Sequence, residues 1–154
     1  MKIWLANKHI EKLNKFANDS FPLETGGVLM GYRSETGDYV VTHIVGPGLN
    51  AKHFPYKFLP DHEYQIKAIQ DIFNETNHKS DYLGDWHTHP TGSCKMSWRD
   101  NKTLKNIACE TLQYPPIMMI GSQSNNSWKY SANKYDSNYL FKFCRTTALE
   151  NNIY

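Results

Sequence analysis

Apolar strand-like runs alternate with amphipathic segments along most of the chain, and this alternation limits the possible folds more than any other feature. Six runs have the apolar or β-branched character of strands. They are Ile3–Leu5, Gly26–Tyr32, Tyr39–Val45, Tyr82–His87, Ile117–Ile120 and Ser127–Ala132. Three segments between them repeat apolar residues at helical spacing. The pattern predicts an α/β (or α+β) fold with a central sheet.

Polar residues mark where the predicted helices begin. Asn7 is expected to cap the first helix, and Asp61 to cap a second helix over His62–Asn77. The second helix should bury one face made of Ile66, Ile69, Ile72 and Phe73. The third helix is predicted to run from Ser97 to about Glu110.

Two stretches do not fit this pattern. Gly46–Pro60 holds several prolines and glycines and is predicted to be a long irregular connection, a type of loop that is often functional. Tyr139–Cys144 is apolar and fits either a strand or a helix. Gly46–Pro60 is expected to border the substrate groove, and the alternative is a structural loop that covers the core.

Size and charge narrow the class of protein. With 154 residues the chain predicts a single domain over residues 1–154. A net charge of +2 gives little support for nucleic-acid binding, and no apolar run is long enough to span a membrane. The three cysteines are far apart, without a CxxC pair, and no apolar signal-peptide core follows the N-terminus. These features lead us to expect a cytoplasmic protein.

The segment Gly84–Asp100 carries the densest chemistry. His87 and His89 are two residues apart, so on a strand both imidazoles project to the same side. Asp100 falls in the first turn of the predicted third helix, and two histidines with one carboxylate are a common catalytic zinc set. Each feature also has a simpler interpretation, because a lone HxH is often a surface pair and Ser-x-x-Asp is also a helix-capping pattern.

The complete pattern HxHx7SxxD, formed by His87, His89, Ser97 and Asp100, resembles the signature of the JAMM (JAB/MPN) metalloprotease family. That family also places a glutamate before a glycine-rich strand, and Glu24 in Glu-Thr-Gly-Gly matches it. The resemblance implies a cytidine-deaminase-like mixed β-sheet flanked by helices.

The resemblance also implies a role for each matched residue. His87, His89 and Asp100 would hold one zinc ion per chain. Glu24 would take a proton from the zinc-bound water and deliver it to the leaving amine. Ser97 would donate to the oxyanion, a role that competes with helix capping for one hydroxyl group.

Within the family, GDWHTHP is most similar to stand-alone bacterial JAB proteins, including deconjugating proteases of CBASS-type anti-phage operons. A member would hydrolyse the amide after the C-terminal tail of a ubiquitin-like protein or its conjugate, with E1/E2-like enzymes as possible operon partners. Trp98, Phe54 and Tyr56 are candidate substrate contacts. The alternatives are a RadC-like protein and a non-catalytic MPN scaffold.

The remaining residues near the motif have simpler interpretations. Trp86 is more typical of core packing than of a substrate contact, and Asp85 is compatible with a solvated turn. Cys94 lacks a partner at ligand spacing, so a metal role is not favoured for it. His43, His53, His62 and His78 are interpreted as ordinary polar positions.

Overall fold

Helices and strands follow one another in the alternating order that the sequence predicts. The computed structural model describes residues 1–110, 114–136 and 145–153, so the apolar segment Tyr139–Cys144 lies outside the described residues. The elements are β1 Lys2–Leu5, α1 Asn7–Ser20, β2 Gly26–Arg33, β3 Tyr39–Val45, β4 Lys52–Phe54, β5 Lys57–Leu59, α2 His62–Glu75, β6 Asp81–His89, α3 Trp98–Glu110, β7 Ile117–Ser124, β8 Ser127–Asp136 and β9 Arg145–Ile153.

Seven of these strands form one curled mixed sheet in the order β1-β3-β2-β6-β7-β8-β9. The pairs β2–β6 and β7–β8 are antiparallel, whereas β6–β7 and β1–β3 are parallel. The sheet closes because β9 pairs with β1 in parallel, which joins the two ends of the described chain. The predicted mixed sheet with flanking helices is confirmed, and its closure is an additional feature.

Each helix covers a different part of the sheet with its apolar face. Leu13 and Ala17 of α1 are fully buried, and Leu13 belongs to the main core cluster. Ile69 and Ile72 of α2 pack against a second cluster on β2 and β3, and Leu104 of α3 packs against β7. No helix in the described part of the chain is long and apolar enough to cross a membrane.

The helix starts are confirmed in one case and wrong in another. Asp61 caps α2, since its side chain accepts a hydrogen bond from the amide of Tyr64 at 3.2 Å. The cap predicted at Asn7 is wrong, because Ala6 has the extended backbone of the cap position and makes no side-chain capping bond. The predicted buried face of α2 is too wide, since Ile66 is 55 % exposed.

The segment Gly46–Pro60 is more regular than its composition predicts. Strands β4 and β5 form a small antiparallel sheet of their own, with His53 opposite Phe58. Strands of three residues are too short to show a periodic pattern, so these two strands cannot be predicted from the sequence. This β4–β5 hairpin lies directly beside the functional site described below.

Gly84 is needed where β6 passes β7. Its φ is +150°, and a Cβ atom there would overlap the carbonyl oxygen of Ile117 on the paired strand. We expect Gly84→Ala to lower the free energy of unfolding by about 1–3 kcal/mol, because the added methyl group would overlap the backbone of Ile117. Urea denaturation of the variant and the wild type measures this, and an unchanged midpoint would contradict the close packing.

Candidate metal centre and its cleft

Strand β6 presents two imidazoles on one face. His87 and His89 alternate with Thr88, so both rings project to the same side of the sheet, and Thr88 is fully buried on the other side. The Nε2 atoms of the two histidines lie 3.0 Å apart. The strand predicted to end at His87 continues to His89, and this continuation fixes the relative orientation of the rings.

Helix α3 brings a carboxylate to the same point. Asp100 lies in the first turn of α3, and its two oxygens lie 3.2 Å from His87 Nε2 and 3.5 Å from His89 Nε2. The same carboxylate accepts a hydrogen bond from the amide of Ser97 at 2.6 Å, and Ser97 Oγ accepts one from the amide of Asp100 at 3.2 Å. Ser97 and Asp100 therefore form a capping box, and the Asp100 carboxylate also lies beside both histidines.

The distances and chemistry of this triad suit a metal ion such as Zn²⁺. A tetrahedral ion bound at about 2.0–2.1 Å separates its ligand atoms by about 3.3–3.4 Å, close to the three separations above. His89 Nδ1 donates to the carbonyl of Ser93 at 3.0 Å, which leaves the Nε2 lone pair directed at the site. Among the described residues, His87, His89 and Asp100 form the group that can hold a metal ion.

The charges around the triad favour the ligand protonation states. Burial raises the pKa of Asp100, but the hydrogen bond and charge of His87, together with the bonds to Ser97, outweigh it and hold that pKa well below its usual range. Burial lowers the pKa of His89, and the charge of His87 lowers it further. An ionised carboxylate and a neutral imidazole are the forms that bind metal.

Glu24 faces the triad from the segment between α1 and β2. It lines the same cleft as His87, His89 and Asp100. Burial raises the pKa of its carboxyl group, and the nearby His87 opposes that rise. The amide of Glu24 donates to the carbonyl of Phe54 at 2.9 Å, and its own carbonyl oxygen lies 2.9 Å from His53 Nδ1.

The two glycines after Glu24 allow β2 to run close to β6. A Cβ atom on Gly26 would lie 2.5 Å from the carbonyl oxygen of Trp86 and 3.1 Å from the Phe58 ring. One on Gly27 would overlap the carbonyl oxygen of Val45 and approach the Trp86 indole. Glycine is therefore required beside the metal centre because the backbone leaves no space for a side chain.

A cleft of about 1090 Å³ opens over the triad. Of the candidate substrate contacts, Tyr56 and Trp98 line it and are 77 % and 70 % exposed, while Phe54 is not among its lining residues. Trp86 lines its floor but is 1 % exposed and donates to the carbonyl of Val45 at 3.0 Å, as expected of a core residue. Pro55, Tyr56, Lys57 and Phe58 place the β4–β5 hairpin on one side of the cleft.

Cys94 holds the loop between β6 and α3 against the sheet. Its Sγ lies 2.9 Å from Ser122 Oγ and donates to the carbonyl of Lys129 at 3.1 Å. It does not belong to the ligand group. These contacts hold the loop that contains Ser93, whose carbonyl oxygen accepts the hydrogen bond from His89 Nδ1.

The sequence interpretation missed two polar residues near the centre. Asp85 is not a solvated turn residue. It lies on β6, lines the cleft and accepts a hydrogen bond from the Tyr82 hydroxyl at 2.9 Å. Thr88 joins β6 to the Glu24 segment, because its Oγ1 accepts from the amide of Thr25 at 3.0 Å and its amide donates to the carbonyl of Thr25 at 2.8 Å. The strand alternation that pairs His87 with His89 could have placed Asp85 on the same face.

Comparison with known proteins agrees with this geometry. The model of the Prok-JAB family, described as prokaryotic homologues of the JAB domain, matches residues 6–132. The chain is 32 % identical over 129 residues to the probable metalloprotease y4qB of Sinorhizobium fredii, covering 82 % of this chain and 79 % of that protein. It is 30 % identical over 115 residues to a CD-NTase/cGAS isopeptidase of Escherichia coli, covering 72 % and 70 %.

The fold also matches a solved structure. A protein of Desulfitobacterium hafniense, determined in solution, superimposes with a TM-score of 0.74 over 99 % of this chain and 92 % of that one. Its sequence identity is 19 %, so this likeness concerns the fold alone.

Proposed function

The chain belongs to the family of prokaryotic homologues of the JAB domain, and on that premise we propose that it is a zinc-dependent isopeptidase or peptidase. Its substrate is the amide after the C-terminal tail of a ubiquitin-like protein or its conjugate. The observation that carries the proposal is the convergence of Glu24 and the triad His87, His89 and Asp100 on one cleft. The names of the two relatives, a probable metalloprotease and an isopeptidase, support the same kind of reaction.

The triad supplies the ligands, and the metal supplies the activation. A bound zinc ion acts as a Lewis acid and lowers the pKa of water to about 7. His87 and His89 would hold the ion through ring nitrogens and Asp100 through a carboxylate oxygen, and the lowered pKa of Asp100 keeps that carboxylate ionised. The bond from His89 Nδ1 to Ser93 keeps that ring in the orientation that binding requires.

Glu24 moves the proton. Its carboxylate accepts a proton from the attacking water and passes it to the leaving amine, so that it acts first as a base and then as an acid. Burial raises the pKa of the Glu24 carboxyl group, and a raised pKa makes the protonated form easier to populate before the proton is given to the amine. The same residue therefore serves both halves of the reaction.

We propose that Ser97 donates to the oxyanion while it also caps α3, and its capping geometry supports this double role. In the capping box, Ser97 Oγ accepts the hydrogen bond from the amide of Asp100, so capping uses an oxygen lone pair. The hydroxyl proton is not used by capping, so it can donate a hydrogen bond to the developing negative charge. One hydroxyl group thus performs both roles.

The walls of the cleft favour an extended tail of small residues. Exposed Trp98 and Tyr56 flank the centre and offer apolar surface to a peptide. Gly27 of β2 lines the same cleft without a side chain, and we propose that the small residues of the tail lie against it. E1/E2-like enzymes attach ubiquitin-like proteins through such tails, so they are the expected partners of a hydrolase that cleaves the resulting amide.

Hydrolysis of a tail fusion tests this function. We expect the zinc-loaded protein to cleave a ubiquitin-like domain joined through its C-terminal Gly-Gly to a fluorescent reporter. The matched control has Val-Val in place of Gly-Gly, and a second control is unstructured casein. We expect both controls to remain intact in the assay.

Two results of this assay would contradict the proposed function. Rapid digestion of casein, or equal cleavage of the Gly-Gly and Val-Val fusions, contradicts the proposed specificity. A zinc-loaded protein that cleaves neither fusions nor lysine conjugates of several ubiquitin-like proteins contradicts the enzyme assignment and favours a non-catalytic scaffold.

A further inference from the structure

A histidine of the β4–β5 hairpin bonds to the backbone of Glu24. His53 Nδ1 lies 2.9 Å from the carbonyl oxygen of Glu24, and the amide of Glu24 donates to the carbonyl of Phe54 at 2.9 Å. Glu24 lies outside the helices and strands, yet both its amide and its carbonyl are bonded to β4. The hairpin therefore determines how this residue is presented to the cleft.

The orientation of the His53 ring is defined by its surroundings. A carbonyl oxygen only accepts hydrogen bonds, so the proton of this bond resides on His53 Nδ1. The ring packs against Phe58, its partner across the hairpin, with centroids 5.5 Å apart and planes tilted by 37°. Phe58 in turn lies close to β2, since a Cβ atom on Gly26 would lie 3.1 Å from its ring. The imidazole thus packs against a side chain that lies beside the strand following Glu24.

The other side of the Glu24 segment is held by β6. Thr88, between the two histidine ligands, exchanges hydrogen bonds with Thr25 through its hydroxyl and its amide. The peptide unit between Glu24 and Thr25 is therefore held at both of its polar groups. Its amide donates to Thr88 Oγ1 on β6, and its carbonyl oxygen accepts from His53 Nδ1 on β4.

We propose that His53 is a positioning residue. It holds the backbone carbonyl oxygen of Glu24 and thereby sets the orientation of the Glu24 side-chain carboxyl group. The inference rests on the proposed function in which Glu24 moves the proton. His53 does not line the cleft, so it acts through Glu24 and not on the substrate. A misplacement of about 1 Å can cost on the order of 10²-fold in rate. Loss of the bond is therefore expected to lower kcat about 10–100-fold and to leave KM nearly unchanged.

A matched pair of substitutions isolates the hydrogen bond. In His53→Asn the amide nitrogen is as many bonds from Cα as the imidazole Nδ1, so it can still donate to Glu24. In His53→Gln the same chemical group is one bond further away and should miss the carbonyl oxygen. Lys52→Ala, an exposed change on the same strand, controls for disturbance of β4.

The experiment measures kcat and KM on the Gly-Gly fusion, together with the thermal midpoint and zinc content. We expect His53→Gln to lose kcat at an unchanged KM and zinc content, with His53→Asn and Lys52→Ala close to the wild type. A kcat for His53→Gln equal to that of the wild type, or equal losses in the Asn and Gln variants, would overturn the proposal. A loss of kcat that is matched by a fall in the thermal midpoint of the same variant would also overturn the proposal.

Amide hydrogen exchange separates this inference from the proposed function. The Glu24 amide is bonded to Phe54, and its exchange should accelerate in His53→Gln but not in His53→Asn. This pattern supports the positioning role even if the wild type hydrolyses no fusion, a result that would refute the proposed function alone. Equal exchange of the Glu24 amide in all variants would overturn the positioning role.

Discussion

Glu24→Gln is expected to abolish nearly all hydrolysis while leaving the fold and the zinc content unchanged. The substitution keeps the size of the side chain but removes the group that accepts and returns the proton. General acid–base catalysis contributes about 10²–10⁴-fold, and here one residue serves both steps, so the loss in kcat should reach the upper end of that range. Single-turnover cleavage of the Gly-Gly fusion measures it.

The control is Glu35→Gln, which makes the same chemical change at an exposed position of the β2–β3 turn. We expect it to match the wild type in kcat, zinc content and thermal midpoint. A Glu24→Gln variant with near wild-type turnover would show that another group moves the proton. A variant that loses zinc as well would place Glu24 among the ligands.

The second large effect is expected at Asp100. Asp100→Asn keeps the shape of the side chain, and its amide oxygen can still accept the capping bond from Ser97, but it removes the anionic ligand. Even changes to groups that only support metal ligands cost about 10–100-fold in affinity, so loss of this ligand should weaken zinc binding at least about 100-fold. Hydrolysis at limiting zinc should disappear with it.

Competition with a chromophoric chelator measures the zinc affinity, and Asp71→Asn is the matched control. Asp71 is an exposed residue of α2 that pairs with Lys67, so its substitution should leave zinc affinity unchanged. Zinc affinity in Asp100→Asn equal to that of the wild type would remove Asp100 from the ligand set. Because Asn keeps the capping bond but loses the charge interaction with His87, metal-free Asp100→Asn should unfold at a lower temperature than the metal-free wild type at neutral pH.

The parts of the fold that sequence could predict are those with long local patterns. The apolar β-branched run of β3 and the capped amphipathic helix α2 are recognisable from neighbouring residues alone. Closure of the sheet between β1 and β9 depends on a contact between distant parts of the chain, which no local pattern encodes. The prediction of Asn7 as the cap of α1 is wrong because the residue in the cap position, Ala6, carries no polar side chain.

The candidate site divides in the same way. Strand alternation places His87 and His89 on one face. The approach of Asp100 depends on the loop between β6 and α3, and it is the resemblance of the complete motif to a known family that implies it. The supports of Glu24 arise from residues that are distant in sequence: Thr88 contacts the segment across the sheet, and His53 reaches it from a three-residue strand. Such tertiary hydrogen bonds have no signature in a single sequence.

Zinc titration of the chelator-treated protein, followed by hydrolysis of the Gly-Gly fusion, tests the central claim most directly. We expect no cleavage without metal and a linear rise in rate that stops at about one zinc ion per chain, the capacity of a single site with three protein ligands. Full cleavage by protein shown to contain no metal would refute the zinc-dependent mechanism, as would a rate that stays at zero after the site is filled.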